Sequence, residues 1–226
     1  MDKQSVSTTE VRIACDAIQL VGDLAMPVDP HGVVVFAHGS GSGRHSSRNR
    51  AVARRLQDAG LATLLLDLLT PEEDSVDQRT RHLRFDIPLL SRRMEDTTAW
   101  VDRQPALRTL PLGYFGASTG SAAALIAAAR LGHRVGAVVS RGGRPDLPGP
   151  ALLAAVTAPT LLIVGADDTE VLALNTTAFE HLRAARRLAV VPGATHLFEE
   201  PGTLEAAASQ AVDWFTQHLV RHAQPA

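Results

Sequence analysis

The strongest chemical signal in the sequence is a serine with a glycine two residues before it and another two residues after it. Ser118 is the centre of Gly116-Ala117-Ser118-Thr119-Gly120, between a predicted strand, Leu110–Phe115, and a predicted helix, Ser118–Leu131. A nucleophilic serine on a tight strand-to-helix turn needs small residues two positions away on each side, because a Cβ there would clash. The helix N-terminus adds positive potential where an oxyanion would form. The pattern predicts Ser118 as a nucleophile, with a turn that merely joins strand to helix as the alternative.

A serine hydroxyl needs a base, and His196 occupies a suitable position. It ends the segment Pro192-Gly193-Ala194-Thr195-His196, after the predicted strand Leu188–Val191 and before the predicted helix Leu204–Val220. In a parallel sheet this position is at the carboxyl edge, where Ser118 is also expected. We therefore predict that His196 activates the serine.

Asp168 is the predicted partner of that imidazole. It follows the predicted strand Thr160–Val164 through Gly165-Ala166-Asp167, so it also lies at a strand's carboxyl end. A carboxylate there would fix the imidazole tautomer and stabilise its cation. Asp167 is the nearest rival and Asp146 a more distant one, and one of the two adjacent aspartates could instead cap the following helix.

Two backbone amides are predicted to form an oxyanion hole. Thr119 follows the nucleophile, and Ser40 lies in the glycine-rich loop His38–Ser42 after another predicted strand. The same loop has a competing interpretation, because Gly39–Gly43 could cradle a phosphate. The spacing departs from a dinucleotide fingerprint, Arg44 follows the last glycine, and the lysine of a P-loop is absent.

Four basic side chains are candidates for substrate binding. Arg141 and Arg144 follow a predicted strand at its carboxyl end, and Arg44 and His38 belong to or flank the glycine-rich loop. An arginine there could hold a substrate carboxylate with its planar fork of donors. The alternative for Arg144 or Arg141 is a loop-bracing role, with Asp146 as the partner.

The composition excludes several function classes. The chain has 226 residues, a formal charge of −2, 45% hydrophobic and 20% charged residues, and a single cysteine. We therefore expect no general attraction to nucleic acid or anionic membranes, no disulfide, and no structural zinc site. Met1–Glu10 has no leader pattern, and the most apolar stretch, Ala122–Ala129, is too short to span a bilayer. A cytoplasmic protein is the expectation.

Short apolar runs alternate with longer helical segments, which is typical of an α/β fold with a mostly parallel sheet. We predict one domain, 1–226, without repeats or linkers. Thr70–Arg84 is charged and lacks clear periodicity, so it is predicted to be a loop. The remaining predicted elements are strands near Val11–Cys15, Ile18–Met26, Val33–Ala37, Ala62–Leu66 and Val135–Ser140, and helices near Ser47–Asp58, Ile87–Arg103, Ala151–Val156 and Val171–Ala184.

Together these motifs resemble the α/β-hydrolase superfamily, and within it the small dienelactone hydrolase-like branch. The resemblance covers the whole chain and rests on His38-Gly39, the serine pentapeptide, Gly165-Ala166-Asp167-Asp168 and Gly193-Ala194-Thr195-His196, in the chain order Ser, Asp, His. It implies an eight-stranded, mostly parallel sheet with an antiparallel second strand, helices on both faces, and ester hydrolysis through an acyl-enzyme without metal or cofactor. Dienelactone hydrolases proper carry a cysteine nucleophile, so Ser118 favours a plain carboxylesterase.

The short segment after the sixth strand, Arg141 to Val156, leaves room for little or no cap, so small or short-chain esters are the expected substrates. We expect a monomer or homodimer with no nucleic-acid or membrane partner. Lactone or thioester hydrolysis and acyl transfer remain open on the same triad. A phosphate-binding module and a hydrolase fold without catalysis are the alternatives from other classes.

Overall fold

An eight-stranded sheet forms the centre of the molecule in a computed structural model that describes residues 5–219. Its strands are β1 (Ser7–Cys15), β2 (Ile18–Met26), β3 (Gly32–Ala37), β4 (Leu61–Leu66), β5 (Leu112–Ala117), β6 (Val135–Arg141), β7 (Thr160–Gly165) and β8 (Arg186–Val191). Their order is β1-β2-β4-β3-β5-β6-β7-β8. β2 runs antiparallel to β1 and β4, and the other neighbouring strands are parallel. This arrangement confirms the predicted α/β-hydrolase fold.

The inner strands are buried on both faces. Every residue of β3, β4, β5 and β7 is buried, which explains why these segments are continuous apolar runs without alternation. The edge strand β8 instead alternates towards solvent and begins with two exposed arginines, Arg186 and Arg187. The predicted strand Leu188–Val191 therefore starts two residues too late, because an edge strand tolerates charged residues that the apolar pattern excludes.

Seven α-helices cover the two faces of the sheet within the described residues. They are α1 (Ser47–Asp58), α2 (Pro71–Thr80), α3 (Ile87–Arg103), α4 (Thr119–Leu131), α5 (Gly149–Ala155), α6 (Thr169–His181) and α7 (Thr203–His218). α1 and α7 pack together over one apolar cluster, and α3, α4, α5 and α6 pack side by side over the other. The predicted last helix, Leu204–Val220, is confirmed as far as His218; Leu219 follows the end of the helix, and Val220 lies outside the described residues.

The predicted loop Thr70–Arg84 is wrong, because most of it is helix α2. Thr70 and Glu73 form a reciprocal capping box, with a proline at the first helical position and acidic residues in the first turn. The helix lacks an apolar stripe, and Asp77 is its one buried residue. Capping and side-chain anchors therefore hold α2 in place where hydrophobic burial does not, and periodicity alone could not reveal it.

Only residues 142–148 separate β6 from α5, which agrees with the expectation of a minimal cap. The carboxyl ends of β5, β6, β7 and β8 consequently lie at an edge that no inserted domain covers. Within residues 5–219, none of the helices has the length and apolarity needed to cross a membrane.

Candidate active site

Ser118 lies on a strained turn between β5 and α4. Its backbone has φ 51° and ψ −125°, a conformation that non-glycine residues rarely adopt. A Cβ at Gly116 would lie 2.4 Å from Ser121 Cα, and a Cβ at Gly120 would lie 2.2 Å from the carbonyl oxygen of Ala37. Both glycines are therefore required by close backbone packing. Strain at a serine held between two such glycines is the geometry of a nucleophile elbow.

His196 and Asp168 are joined by a hydrogen bond of 2.7 Å between His196 Nδ1 and Asp168 Oδ2. The two residues reach each other from the loops after β8 and β7. Because an ionised carboxylate only accepts hydrogen bonds, Nδ1 carries the proton, and Nε2 is left as an acceptor. That tautomer is the one that a general base for a serine hydroxyl needs.

Asp167 and Asp146, the alternatives to Asp168, make hydrogen bonds to other groups. Asp167 is exposed, and its amide donates to the carbonyl oxygen of Ala194 at 3.0 Å. Asp146 accepts two hydrogen bonds of 2.8 Å from the Arg144 guanidinium, and these bonds lower the pKa of Asp146 despite partial burial. Of the three candidate carboxylates, Asp168 is the one that contacts His196.

Ser118 and His196 line the same small cavity, which has a volume of about 210 Å³. The Ser118 hydroxyl makes no hydrogen bond within the part of the chain that the structure describes. Catalytic hydrogen bonds are often long in ligand-free enzymes and shorten when substrate binds, so the shared cavity is the relevant observation.

The two predicted oxyanion donors lie beside this cavity. Thr119 is the first residue of α4, and Ser40 lies on the rim between the small cavity and a larger one. Neither backbone amide donates a hydrogen bond to any residue between 5 and 219. Neither amide is therefore used within the described part of the fold, and their role as oxyanion donors stays a prediction.

The larger cavity, of about 680 Å³, shares the glycine-rich loop with the smaller one and has α2 as its opposite wall. The sequence predicted a loop here, so the helix that forms this wall was missed. Asp77 accepts hydrogen bonds from the amide and the side chain of Arg84, and Glu73 forms a pair of hydrogen bonds of 2.7 and 3.0 Å with Arg93. The Thr70-Pro71-Glu72-Glu73 pattern is the local sequence feature that could have predicted the start of this helix.

Arg44 has a bracing role in the structure and also lines the larger cavity, so its predicted contact with substrate stays a prediction. Its guanidinium lies 3.0 Å from Glu10, 3.4 Å from Asp67 and 3.8 Å from Asp23, and its amide donates to Asp67 at 2.8 Å. Three carboxylates therefore already surround the charge. Arg44 ties the glycine-rich loop to β1, β2 and the end of β4.

His38 likewise has both ring nitrogens occupied. Nδ1 donates to the carbonyl oxygen of Gly39 at 2.9 Å, and Nε2 accepts from the Leu68 amide at 3.0 Å. Burial lowers the pKa of His38, so the neutral ring is the stable form. The side chain joins the loops after β3 and β4, and this geometry does not support the predicted substrate contact.

Arg141 and Arg144, which sequence reasoning treated alike, have different environments. Arg144 is bound to Asp146 and lines neither cavity. Arg141 is buried and lines the small cavity with Ser118 and His196, and Arg48 of α1, which sequence reasoning did not single out, lines it too.

The comparisons with known proteins show the family of this chain. The family model for the dienelactone hydrolase family matches residues 20–222. The chain belongs to the dienelactone hydrolase family. The crystal structure of a dienelactone hydrolase from Anabaena variabilis ATCC 29413 is 54% identical, with a TM-score of 0.93 over 95% of this chain and 99% of that one.

More distant structures share the fold of this dienelactone hydrolase family member. Est1E from Butyrivibrio proteoclasticus is 16% identical with a TM-score of 0.78, covering 92% of this chain and 98% of that one. The dienelactone hydrolase-like promiscuous phosphotriesterase P91 from metagenomic libraries is 21% identical with a TM-score of 0.75, covering 94% and 98%. The family match and the relative from Anabaena support a hydrolase.

Two curated proteins of Mycobacterium tuberculosis, from strains CDC 1551 / Oshkosh and ATCC 25618 / H37Rv, are each 57% identical over 210 residues. Both bear the name "putative phosphoribosyl transferase". The match covers 93% of this chain but 46% of each relative, so the chain spans about half the length of the curated relatives it matches.

Proposed function

We propose that this dienelactone hydrolase family member is a serine hydrolase that cleaves small or short-chain carboxylic esters through an acyl-enzyme. The observation that carries the proposal is the 2.7 Å bond between His196 and Asp168 at a cavity that Ser118 also lines. The bond holds the imidazole in the tautomer that leaves Nε2 free, and the strained turn presents the serine oxygen.

The reaction begins when Ser118 Oγ attacks the ester carbonyl carbon while His196 Nε2 takes the hydroxyl proton. Asp168 stabilises the resulting imidazolium, and the amides of Ser40 and Thr119 donate to the oxyanion. The bond from the carbonyl carbon to the alcohol oxygen then breaks, and His196 returns the proton to the leaving alcohol. A water attacks the acyl-enzyme with His196 again as base, which releases the acid and restores the serine.

The size and openness of the site support small substrates. The cavity beside Ser118 has a volume of about 210 Å³, and the segment after β6 is too short to form a lid that could hold a long acyl chain. Lactones, thioesters and acyl transfer use the same residues and are outcomes of the substrate panel below.

The phosphate-binding alternative receives no support from the loop Gly39–Gly43. The cation that follows it, Arg44, is surrounded by Glu10, Asp23 and Asp67. Carboxylates around the loop would repel a phosphate. The phosphoribosyl transferase name belongs to relatives about twice as long, and we assign that activity to none of the residues described in this site.

Labelling with a fluorophosphonate and hydrolysis of p-nitrophenyl acetate test the proposal. We expect a covalent adduct at Ser118 by mass spectrometry and a loss of kcat on the order of 10⁶ in Ser118→Ala. Ser47→Ala is the matched control, because Ser47 is exposed nearby on α1 and lines neither cavity. An unlabelled Ser118, or a Ser118→Ala variant that retains the wild-type rate, would contradict the proposal. Esters graded by chain length, a lactone and a thioester then define the substrate.

A further inference from the structure

The buried guanidinium of Arg141 has no carboxylate partner among the described residues. Arg141 is the last residue of β6 and is 7% exposed. Its Nε and Nη1 atoms have no hydrogen-bond partner within residues 5–219. Its nearest aromatic neighbours, Phe115 and Phe198, have ring centroids 6.0 and 5.7 Å from Cζ. Aromatic contact compensates only part of the cost of burying an ion, so this side chain lacks an anionic partner.

The side chain is fixed relative to the nucleophile. Arg141 lies beside Ala117 in the register of β5 and β6, and its carbonyl oxygen accepts a hydrogen bond from the Ser118 amide at 3.3 Å. Arg141, Ser118 and His196 all line the small cavity. An anion that met the guanidinium in this cavity would therefore be held close to the reacting serine.

The charges of the small cavity all favour an anion. Its lining includes Arg141 and Arg48 and contains no aspartate or glutamate among the described residues. Arg48 has a partner, Glu199, at 3.1 Å, but that carboxylate is largely exposed and lies outside the cavity. Burial, and then the nearby charge of Arg48, lower the pKa of Arg141 to about 10, so the side chain is still a cation at neutral pH.

We propose that Arg141 anchors an anion subsite, and that the preferred ester carries a carboxylate or phosphate group a few bonds from its carbonyl carbon. This inference rests on the proposed function, because it assigns a substrate class to the same site. A guanidinium fork matches either oxyanion, and pairing would offset the cost of burying a cation that has no anionic partner among the described residues. The volume of about 210 Å³ admits a short acid such as a succinyl group and no bulky one.

Matched esters test the subsite. Methyl hydrogen succinate and methyl butyrate have acyl chains of equal carbon number, and hydrolysis of either can be followed by titration of the released acid. In the wild type we expect kcat/KM to be at least tenfold higher for the succinate. In Arg141→Met we expect the succinate-to-butyrate ratio of kcat/KM to fall at least tenfold, mainly through KM, because a hydrogen-bonded charge pair is lost. The control Arg144→Met removes a guanidinium that already has a partner outside both cavities, and should keep the ratio.

A competition experiment identifies the anion and protects the test against a variant that fails to fold. Wild-type hydrolysis of p-nitrophenyl acetate is measured with succinate, inorganic phosphate or uncharged succinamide. Inhibition by succinate alone assigns a carboxylate, and stronger inhibition by phosphate assigns a phosphate. Equal or absent inhibition by all three, or a ratio unchanged in Arg141→Met, overturns the subsite.

These outcomes are distinguishable from a failure of the proposed function. If the subsite is overturned but p-nitrophenyl acetate is still hydrolysed, the esterase assignment stands without the anion subsite. If no ester is hydrolysed and Ser118 is not labelled, the proposed function itself has failed.

Discussion

The two cavities that share the glycine-rich loop differ in whether their arginines have carboxylate partners. In the larger cavity, arginines and carboxylates occur together and neutralise one another, as Arg44 does with Asp67 and Arg84 with Asp77. In the smaller cavity, the buried guanidinium of Arg141 has no such partner within the described chain. The comparison suggests that paired charges build the wall of the site, whereas the unpaired charge is available to a ligand.

Beyond the nucleophile itself, substitution of the proposed triad acid should have the largest effect, because the reaction proposed for the small cavity depends on it. We expect Asp168→Asn to lower kcat for p-nitrophenyl acetate on the order of 10⁴-fold, since an amide would favour the wrong tautomer of His196. Asp167→Asn is the matched control, because its carboxylate is exposed and does not contact the imidazole. A larger loss in Asp167→Asn than in Asp168→Asn would reassign the acid and remove the basis for the shared site.

A change in the larger cavity should affect stability and not charge selectivity. Burial acts to raise the pKa of Asp77, but hydrogen bonds from the Arg84 side chain and from the amides of Arg84 and Leu83 outweigh it and hold the pKa below its ordinary value. We expect Asp77→Asn to destabilise the protein by about 2 kcal/mol, because charge-assisted bonds to a buried acceptor are lost.

The direction in which stability depends on pH follows from the depressed pKa of Asp77. A carboxyl whose pKa is depressed by folding stabilises the native state above its ordinary pKa and loses that contribution as the pH falls through the folded value. Thermal melts should therefore separate wild type from Asp77→Asn at pH 7 and converge in strong acid. The succinate-to-butyrate ratio should be the same in both proteins. A variant with wild-type stability and an altered ratio would show that the paired charges select substrate.

The smallest effect is expected at Arg48, the second cation of the small cavity. Its side chain is 31% exposed and already contacts Glu199. Removal of such a screened charge in Arg48→Gln should lower the succinate-to-butyrate ratio only about two- to fivefold. An effect larger than that of Arg141→Met would transfer the anchor role from Arg141 to the partly exposed Arg48.

Local sequence patterns were sufficient to predict the fold and to single out the serine and the histidine of the proposed triad. Gly116 and Gly120 are visible as motif positions because only glycine avoids the backbone atoms that pack against them. Strands and helices alternate clearly because the inner strands are uniformly apolar. The choice between Asp167 and Asp168 could not be made in this way, since adjacent residues differ only in the direction in which their side chains leave the loop.

Helix α2 shows where periodicity fails. It lies along a cavity wall and contributes one buried residue, Asp77, to the interior, so it has no apolar stripe to detect. The capping box of Thr70 and Glu73 was readable, but the hydrogen bonds from Arg84 and Arg93 that fix the helix come from residues further along the chain. A local pattern does not include such partners.

The sequence by itself determined the sheet, the serine turn, and the histidine and the pair of aspartates that follow the last two strands, because each depends on nearest neighbours along the chain. Only the tertiary structure decided which cations have partners. Arg141 and Arg144 are close in sequence and identical in type, yet Arg144 binds Asp146, whereas Arg141 is buried beside Ser118 with no carboxylate partner between residues 5 and 219. The free energy of a charge depends on burial and on the groups around it in space, and neither is encoded in the residue or its spacing.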